Sequence, residues 1–505
     1  MKHIYFFIFV VEAVLGSSKN FRLGRSKGGN LGAPAGVLDQ RLPEARWFTQ
    51  KLDHFVLSDT RTWKQRYFVN DSFFEYEKPG PVFLMIGGEG PADARWMLRG
   101  AWIDYAIKFK ALCILLEHRY YGESQPTEDL SVKNLIYLSS RQALSDLANF
   151  ISAMNEEYNL GEEVRWIAFG GSYPGALAAW LRVRSPHLLH AAVSSSGPLR
   201  AEGDFAEYFQ VVADALREKT GNNECINEII EAHRQVDDLI KTKPRIIEDK
   251  FRVCQSFEKA SPDDMSNFYS SIADNFADLV QYNEDNRFTN DPQYKNVTIN
   301  SVCAMLTEPG DKRKAYERLA TFNSIMLDKS KQECLDYSYG NMITGLRNTS
   351  WNSGEGGRQW TYQTCTEFGF YQTSSALLPS QLFGNYFPLH FFIQQCQHIF
   401  GNKYNLEFVS RAVNRTNVEY GGLHIAASRV VFVHGSVDPW HALGLTVSRA
   451  AIYIRGTAHC ANMYPASPHD APNLRTARSL VQDHLARWLT QSNTTLSDSS
   501  KSINQ

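Results

Sequence analysis

The stretch Trp166-Ile-Ala-Phe-Gly-Gly-Ser172-Tyr-Pro-Gly-Ala-Leu-Ala-Ala-Trp180 decides the fold. Residues 166–169 are a short apolar run of the buried-strand type. Gly170 and Gly171 then permit a tight turn, because a residue without Cβ reaches backbone angles closed to others. Ser172 sits on that turn. Pro174 suits the first turn of a helix, where its missing N–H has no bond to lose, and residues 175–184 continue as helix formers. Strand, sharp turn, serine, helix is the nucleophile elbow of an α/β-hydrolase. The helix N-terminus behind the serine favours developing negative charge. The usual spacing is Gly-x-Ser-x-Gly, whereas here Pro174 takes the last glycine's place and Gly175 follows one residue late. Taken alone, the stretch also reads as a Gly-Gly-Ser loop feeding an ordinary helix.

The flanking segments decide between the two. Residues 81–86 are continuously apolar and end in Gly87-Gly-Glu-Gly90, a strand followed by a glycine turn that exposes backbone N–H groups. In α/β-hydrolases this loop lends one donor to the oxyanion hole, which assigns Gly87 and Gly88 together with the Tyr173 N–H, although taken alone the segment also reads as a plain glycine turn. Residues 63–69, 111–116 and 189–194 are further strand-like runs. Residues 140–158 carry apolar side chains at helical spacing. Such alternation implies a largely parallel sheet with helices on both faces. After Pro198 the pattern changes. Residues 204–285 are helical in composition, 286–400 are loop-rich and aromatic, and strand signals return only at 429–435 and 450–454. The expected architecture is an α/β-hydrolase core with a large, mostly helical insertion. The segments are 1–16 as a signal peptide, 17–45 as a flexible leader, 46–200 and 411–490 as the core, 201–410 as the cap, and 491–505 as a disordered tail.

An α/β-hydrolase orders its triad as serine, acid, histidine. Asp438 follows the strand at 429–435, in Gly435-Ser-Val-Asp438-Pro-Trp440, although an Asp-Pro turn is also common. Four histidines come later. His441 is too close to Asp438 to turn back to it, His469 has no strand directly before it, and His484 lies in the closing helix at 474–489. His459 follows a strand through a short loop, where the triad needs it. In these roles His459 takes the Ser172 proton and Asp438 orients the imidazole.

Bulk properties agree. The chain of 505 residues has a formal net charge of −2 and 43% hydrophobic residues, so neither nucleic acid nor an anionic membrane is implied as a partner. Nothing in the pattern calls for a metal or a cofactor. A basic start, an apolar run at 4–15 and small residues at 16–18 mark a secretory signal peptide. The run is too short to span a membrane. Asn70, Asn296, Asn348, Asn414 and Asn493 each open an Asn-x-Ser/Thr sequon. Cys225, Cys254, Cys303, Cys334, Cys365 and Cys396 cluster in the insertion, which suggests disulfide staples in an oxidising compartment.

The segments Gly87-Gly-Glu-Gly-Pro91, Glu117-His-Arg-Tyr-Tyr-Gly-Glu-Ser124, Gly170-Gly-Ser-Tyr173, Trp360-Thr-Tyr-Gln-Thr-Cys-Thr-Glu-Phe-Gly369 and Asp438-Pro-Trp440, with the histidine loop, resemble the serine peptidase family of lysosomal prolyl carboxypeptidase, dipeptidyl peptidase II and thymus-specific serine protease. The likeness to the last is greatest, through Thr366-Glu-Phe-Gly-Phe370 and His459-Cys460. The resemblance implies cleavage of short peptides, often beside proline, in a lysosomal, endosomal or secreted setting. It implies disulfides Cys225–Cys303, Cys254–Cys334 and Cys365–Cys396, leaving Cys113 and Cys460 as thiols. It places Ala176 near the substrate pocket, to which Glu89 is also assigned; Trp440, next to Asp438, either lines that pocket with the aromatic 360–371 stretch or is plain core. Ala176 stands where prolyl carboxypeptidase has a larger residue, and the stretch around Ser374 lacks a cysteine found in relatives, so one family disulfide is expected to be absent. An esterase or lipase of the same fold, and an inactive hydrolase serving as a binding scaffold, are the competing readings. A homodimer is left open.

Overall fold

The computed structural model describes residues 31–34, 36–37, 41–284, 296–351, 356–375 and 381–490. The signal-peptide and tail segments and the Asn493 sequon lie outside these.

Among the described residues, ten strands form two sheets. The large sheet takes β1 (Arg46–Lys51), β2 (Thr62–Asn70), β3 (Val82–Ile86), β4 (Leu112–Leu116), β5 (Trp166–Gly171), β6 (Ala191–Ser195), β9 (Val430–Gly435) and β10 (Ala451–Ile454). The small one pairs β7 (Glu202–Asp204) in parallel with β8 (Gly369–Tyr371). The large sheet runs β1-β2-β4-β3-β5-β6-β9-β10. β2 is antiparallel to both its neighbours, and every pairing from β4 to β10 is parallel. Strands β3, β4, β5 and β6 are buried along their whole length, as a parallel sheet covered on both faces must be.

The strand alternation divides the core. Leu84, Ile114 and Ala168 face the helices Ser140–Glu157 and Tyr173–Arg184, in an apolar cluster that continues into the insertion. Phe83, Met85, Leu115 and Phe169 face the helices Ala101–Phe109 and Pro472–Thr490. Cys113 lies on this second face as a buried thiol. Between β6 and β9 the chain is mainly helical. Its longest helix, Pro262–Gln281, opens with a reciprocal capping box between Ser261 and Asp264. Three disulfides join Cys225 to Cys303, Cys254 to Cys334 and Cys365 to Cys396.

A strand at 46–51 had no clear sequence signal; it forms by pairing with β2 through six residue pairs. Two expectations need correction. The leader is not flexible throughout: Leu31 reaches Gly171 of β5, Val37 is buried, and the Tyr464 hydroxyl donates to the Gly32 carbonyl at 3.3 Å. Asn70 is no surface acceptor. It is 8% exposed and its amide nitrogen donates to the Met97 carbonyl at 2.8 Å, which leaves no room for a glycan on that atom. Asn296, Asn348 and Asn414 are exposed.

Candidate active site

β5 runs through both glycines, so the turn falls on Ser172 itself. Its φ of +65° and ψ of −133° lie where a residue with a Cβ is strained. The glycines serve close approach instead of turning. A Cβ on Gly170 would stand 2.0 Å from the Pro174 carbonyl oxygen, and one on Gly175 would stand 2.7 Å from the Ser195 carbonyl oxygen. The helix therefore folds back tightly over β5 and β6. The Ser172 N–H donates to the Ser195 carbonyl at 2.9 Å, and the Ser172 carbonyl accepts from Gly175 and Ala176 at 2.8 and 3.2 Å. Pro174 has a role at its unusual place, since its ring lies 2.6 Å from where a Gly88 Cβ would be. The Gly87–Gly88 turn is thus seated on the elbow. Tyr173 opens the helix, so its N–H belongs to the first-turn donors that have no intrahelical acceptor. Gly87, Gly88 and a buried Glu89 line a cavity together with Leu31, Pro174 and Met463. Ala176 is fully buried beneath the elbow.

Asp438 and His459 meet. The His459 Nδ1–H donates to Asp438 Oδ1 at 2.8 Å, and the two residues are 1% and 0% exposed. The Trp440 N–H donates to the same carboxylate oxygen at 3.0 Å. The Nε2 atom of His459 makes no hydrogen bond among the described residues. The histidine loop is pinned beside the elbow: Cys460 N–H donates to Ser196 Oγ at 2.9 Å, and Cys460 Sγ lies 3.0 Å from where a Gly171 Cβ would be. Burial opposes charge on both members of the pair, and their mutual attraction outweighs it. Asp438 is held below the usual carboxylate range by the His459 charge and hydrogen bond, helped by the Ser196 hydroxyl. His459 is held above the usual imidazole range by the Asp438 carboxylate. The other histidines do not compete: His441 bonds back to the Asp438 carbonyl at 2.8 Å, His469 is exposed, and His484 packs on Trp488 of its own helix.

The Glu117–Ser124 segment is a strut under the elbow. Glu117 accepts from Arg66, Ala92 and Ser124. Arg119 is fully buried against Asp146, with two bonds of 2.6 Å. The His118 Nδ1–H donates to the Arg119 carbonyl, so Nε2 accepts from the Tyr173 hydroxyl at 3.1 Å. Gln363 in turn donates to Tyr173 at 3.2 Å and accepts from Tyr121 at 2.7 Å. The chain of bonds is complete and orients the residue that follows Ser172. Burial keeps His118 uncharged, with its pKa pushed down to about 4.

Sequence reasoning expected the insertion over this edge of the sheet but did not find the residue by which it meets the acid loop. Trp440 is 2% exposed, packed among Phe205, Tyr208 and Phe370, with its indole N–H donated to Gln281 at 3.0 Å. Gln281 lies more than 150 residues away, and nothing local in the sequence marks it.

The strand order, the antiparallel β2 and the strained serine between β5 and its helix define an α/β-hydrolase. The chain belongs to the serine carboxypeptidase S28 family, whose profile matches residues 50–481. It is 37% identical over 461 residues to thymus-specific serine protease of Mus musculus, covering 89% of this chain and 88% of that one. It is 35% identical over 481 residues to the Homo sapiens protein of the same name, covering 91% and 89%. Lysosomal Pro-X carboxypeptidase of Homo sapiens is 27% identical over 462 residues, covering 88% of each chain. A solved proline iminopeptidase from Mycobacterium smegmatis aligns at TM-score 0.36 and 12% identity, over 88% of this chain and 99% of that one. The fold assignment rests on this chain's own strand order. The protein is a serine peptidase of that family. Among the described residues no helix is long and apolar enough to cross a membrane.

Proposed function

We propose that Ser172, Asp438 and His459 are the triad of a peptidase that cuts short peptides through an acyl-enzyme in the secretory or lysosomal pathway. One observation carries this: a buried 2.8 Å bond from His459 to Asp438, in a loop pinned beside a serine held at φ +65°. With a peptide bound, the Ser172 hydroxyl oxygen attacks the scissile carbonyl carbon and its proton passes to His459 Nε2. Asp438 stabilises the imidazolium and stays ionised. The Tyr173 N–H and the Gly88 N–H receive the oxyanion, whereas Gly87, also assigned from sequence, already donates its N–H to the Leu116 carbonyl at 2.8 Å; each such donor is worth about two to three powers of ten in rate. His459 then protonates the leaving amine, and water enters to release the acyl group by the same steps reversed. Bonds of this kind are often long in the free enzyme and tighten with substrate.

The insertion, which we read as a cap over residues 201–410, supports a restriction to short, unfolded substrates. Its three disulfides favour an oxidising compartment. A relative's name specifies Pro-X bonds. The cavity beside the elbow, lined by Leu31, Met85, Ile86, Pro174 and Met463, supplies apolar surface of the kind that suits a small ring. Exposed Asn296, Asn348 and Asn414 are the glycan acceptors in this reading. The test is fluorophosphonate labelling of the purified protein with and without Ser172→Ala. Labelling of the wild type alone is the expected result. Equal labelling of both proteins removes Ser172 from its role.

A further inference from the structure

The Pro262–Gln281 helix ends against the Asp438–His459 pair, and its last residue makes contacts of two kinds. The last four carbonyls of any helix lack intrahelical partners. Here the Gln281 carbonyl accepts the backbone N–H of His459 at 3.0 Å. The side-chain oxygen of the same residue accepts from Trp440 Nε1 at 3.0 Å and from the Tyr208 hydroxyl at 2.7 Å. Its amide nitrogen donates to the Tyr282 hydroxyl at 2.8 Å, and the Tyr282 ring meets the His459 ring edge-on, 6.2 Å between centroids. Gln281 is 1% exposed. One residue of the insertion thus holds the backbone of the candidate base and, through Trp440, the loop that carries the candidate acid. The Trp440 backbone N–H is itself a donor to Asp438. A second strut comes from the helix Glu207–Thr220, where Glu218 accepts from Ser436, two residues before Asp438, at 3.0 Å.

We propose that Gln281 is a positioning residue, a clamp by which the insertion sets the separation and orientation of Asp438 and His459. The proposal rests on the triad reading above. The physical reason for a glutamine is its geometry. Trp440 and Tyr208 offer two donors to one point, and only an amide or carboxyl oxygen on a two-carbon stem reaches it while its other atom turns to Tyr282. An apolar residue of equal size would fill the space and leave a buried indole N–H and a buried hydroxyl without acceptors. The two loops would then relax independently. A misplacement on the order of 1 Å costs about 10²-fold in rate even when it arises away from the reacting atoms.

The experiment compares wild type, Gln281→Leu, Gln281→Glu and Ser172→Ala on a short chromogenic peptide, with kcat and KM determined separately. Gln281→Leu is expected to lower kcat about 10- to 100-fold and leave KM within about twofold, because the side chain acts on the pair through Trp440, whose backbone N–H meets Asp438, and through Tyr282 beside the His459 ring. Gln281→Glu keeps an oxygen for Trp440 and Tyr208 and is expected to recover most of kcat. Should Gln281→Leu fail to fold, Trp440→Phe deletes the same indole bond from the other side and must lower kcat. A Gln281→Leu protein with wild-type kcat overturns the clamp. So does a loss that Gln281→Glu does not relieve. If Ser172→Ala remains active, the triad reading falls and the clamp falls with it. If Ser172→Ala is dead while Gln281→Leu turns over normally, only the clamp is lost.

Discussion

The elbow and the acid–histidine pair lie at the same sheet edge but are built in opposite ways. The elbow is local: Ser172 is held by bonds to Ser195, Gly175 and Ala176 and by glycines that let backbone touch backbone. Asp438 and His459 sit on loops that are hydrogen-bonded to the insertion, through Gln281 and Glu218. The elbow can be read from a dozen residues. The contacts that a distant helix makes with the acid–histidine loops cannot. The contrast also implies different sensitivities, since loosening the insertion should disturb the pair before it disturbs the serine.

The largest effects test two of the proposed triad residues themselves. Ser172→Ala is expected to lower kcat/KM by at least about a thousandfold. Asp438→Asn, which leaves the imidazole without its carboxylate, should lower kcat by about 10⁴. Circular dichroism should remain that of the wild type for both. A modest loss for Asp438→Asn would mean that the insertion, and not the carboxylate, orients His459.

Removing a staple probes the other side of the contrast. The paired substitution Cys254→Ser/Cys334→Ser is expected to destabilise the protein by about 2–4 kcal/mol, read by thermal denaturation, with kcat falling more than KM changes. An unchanged melting temperature would show that packing alone holds the insertion together.

A third test uses pH. Glu367 joins the insertion to the core, accepting from the backbone N–H and the hydroxyl of Ser140 at 2.9 and 2.6 Å. Burial pushes it up to about 7 from an ordinary value of 4.5, against the hydrogen bonds from Ser140 that favour its charged form. The folded state therefore binds the proton more tightly than the unfolded one. The resulting stability is present in full below about pH 4.5 and is lost as pH rises through 7, up to about 3 kcal/mol in all. Differential scanning fluorimetry between pH 4.5 and 8 should show the melting temperature falling with pH, and Glu367→Gln should flatten that slope. A slope that persists in the variant assigns it to another group.

The smallest effect isolates backbone strain at the elbow. Ser172→Gly and Ser172→Ala both lack the hydroxyl, but only glycine relieves φ +65°. The glycine variant should be the more stable by about 1 kcal/mol, strain relief less the entropy of the freer chain. Equal stabilities would mean that the elbow holds its shape without strain.

These contrasts explain what could be read in advance. The buried runs of β3, β4, β5 and β6 are continuous and apolar, so the order of the core was legible. The candidate serine, acid and histidine could be picked out because each follows a strand. The disulfide pairs came through likeness to a family and not through spacing. The strand at 46–51 escaped because its pattern takes meaning only against β2. The role of Gly170 and Gly171 was misread as turning, since a sequence does not show which backbone approaches a glycine. Asn70 matched a sequon, yet its side chain points into the fold toward Met97. Gln281 and Glu218 act across the chain, where no local signal exists.

The disulfides carry a consequence for covalent topology. Cys225–Cys303 and Cys254–Cys334 interleave, so every peptide bond between residues 254 and 303 lies inside both loops. A single cut there leaves two polypeptides that stay joined until both bridges are reduced. The helix Pro262–Gln281 lies in that interval. A two-chain form of this protein would run as one band without reductant and as two with it. The severed ends would remain tethered close enough for the helix to keep its place against the histidine loop.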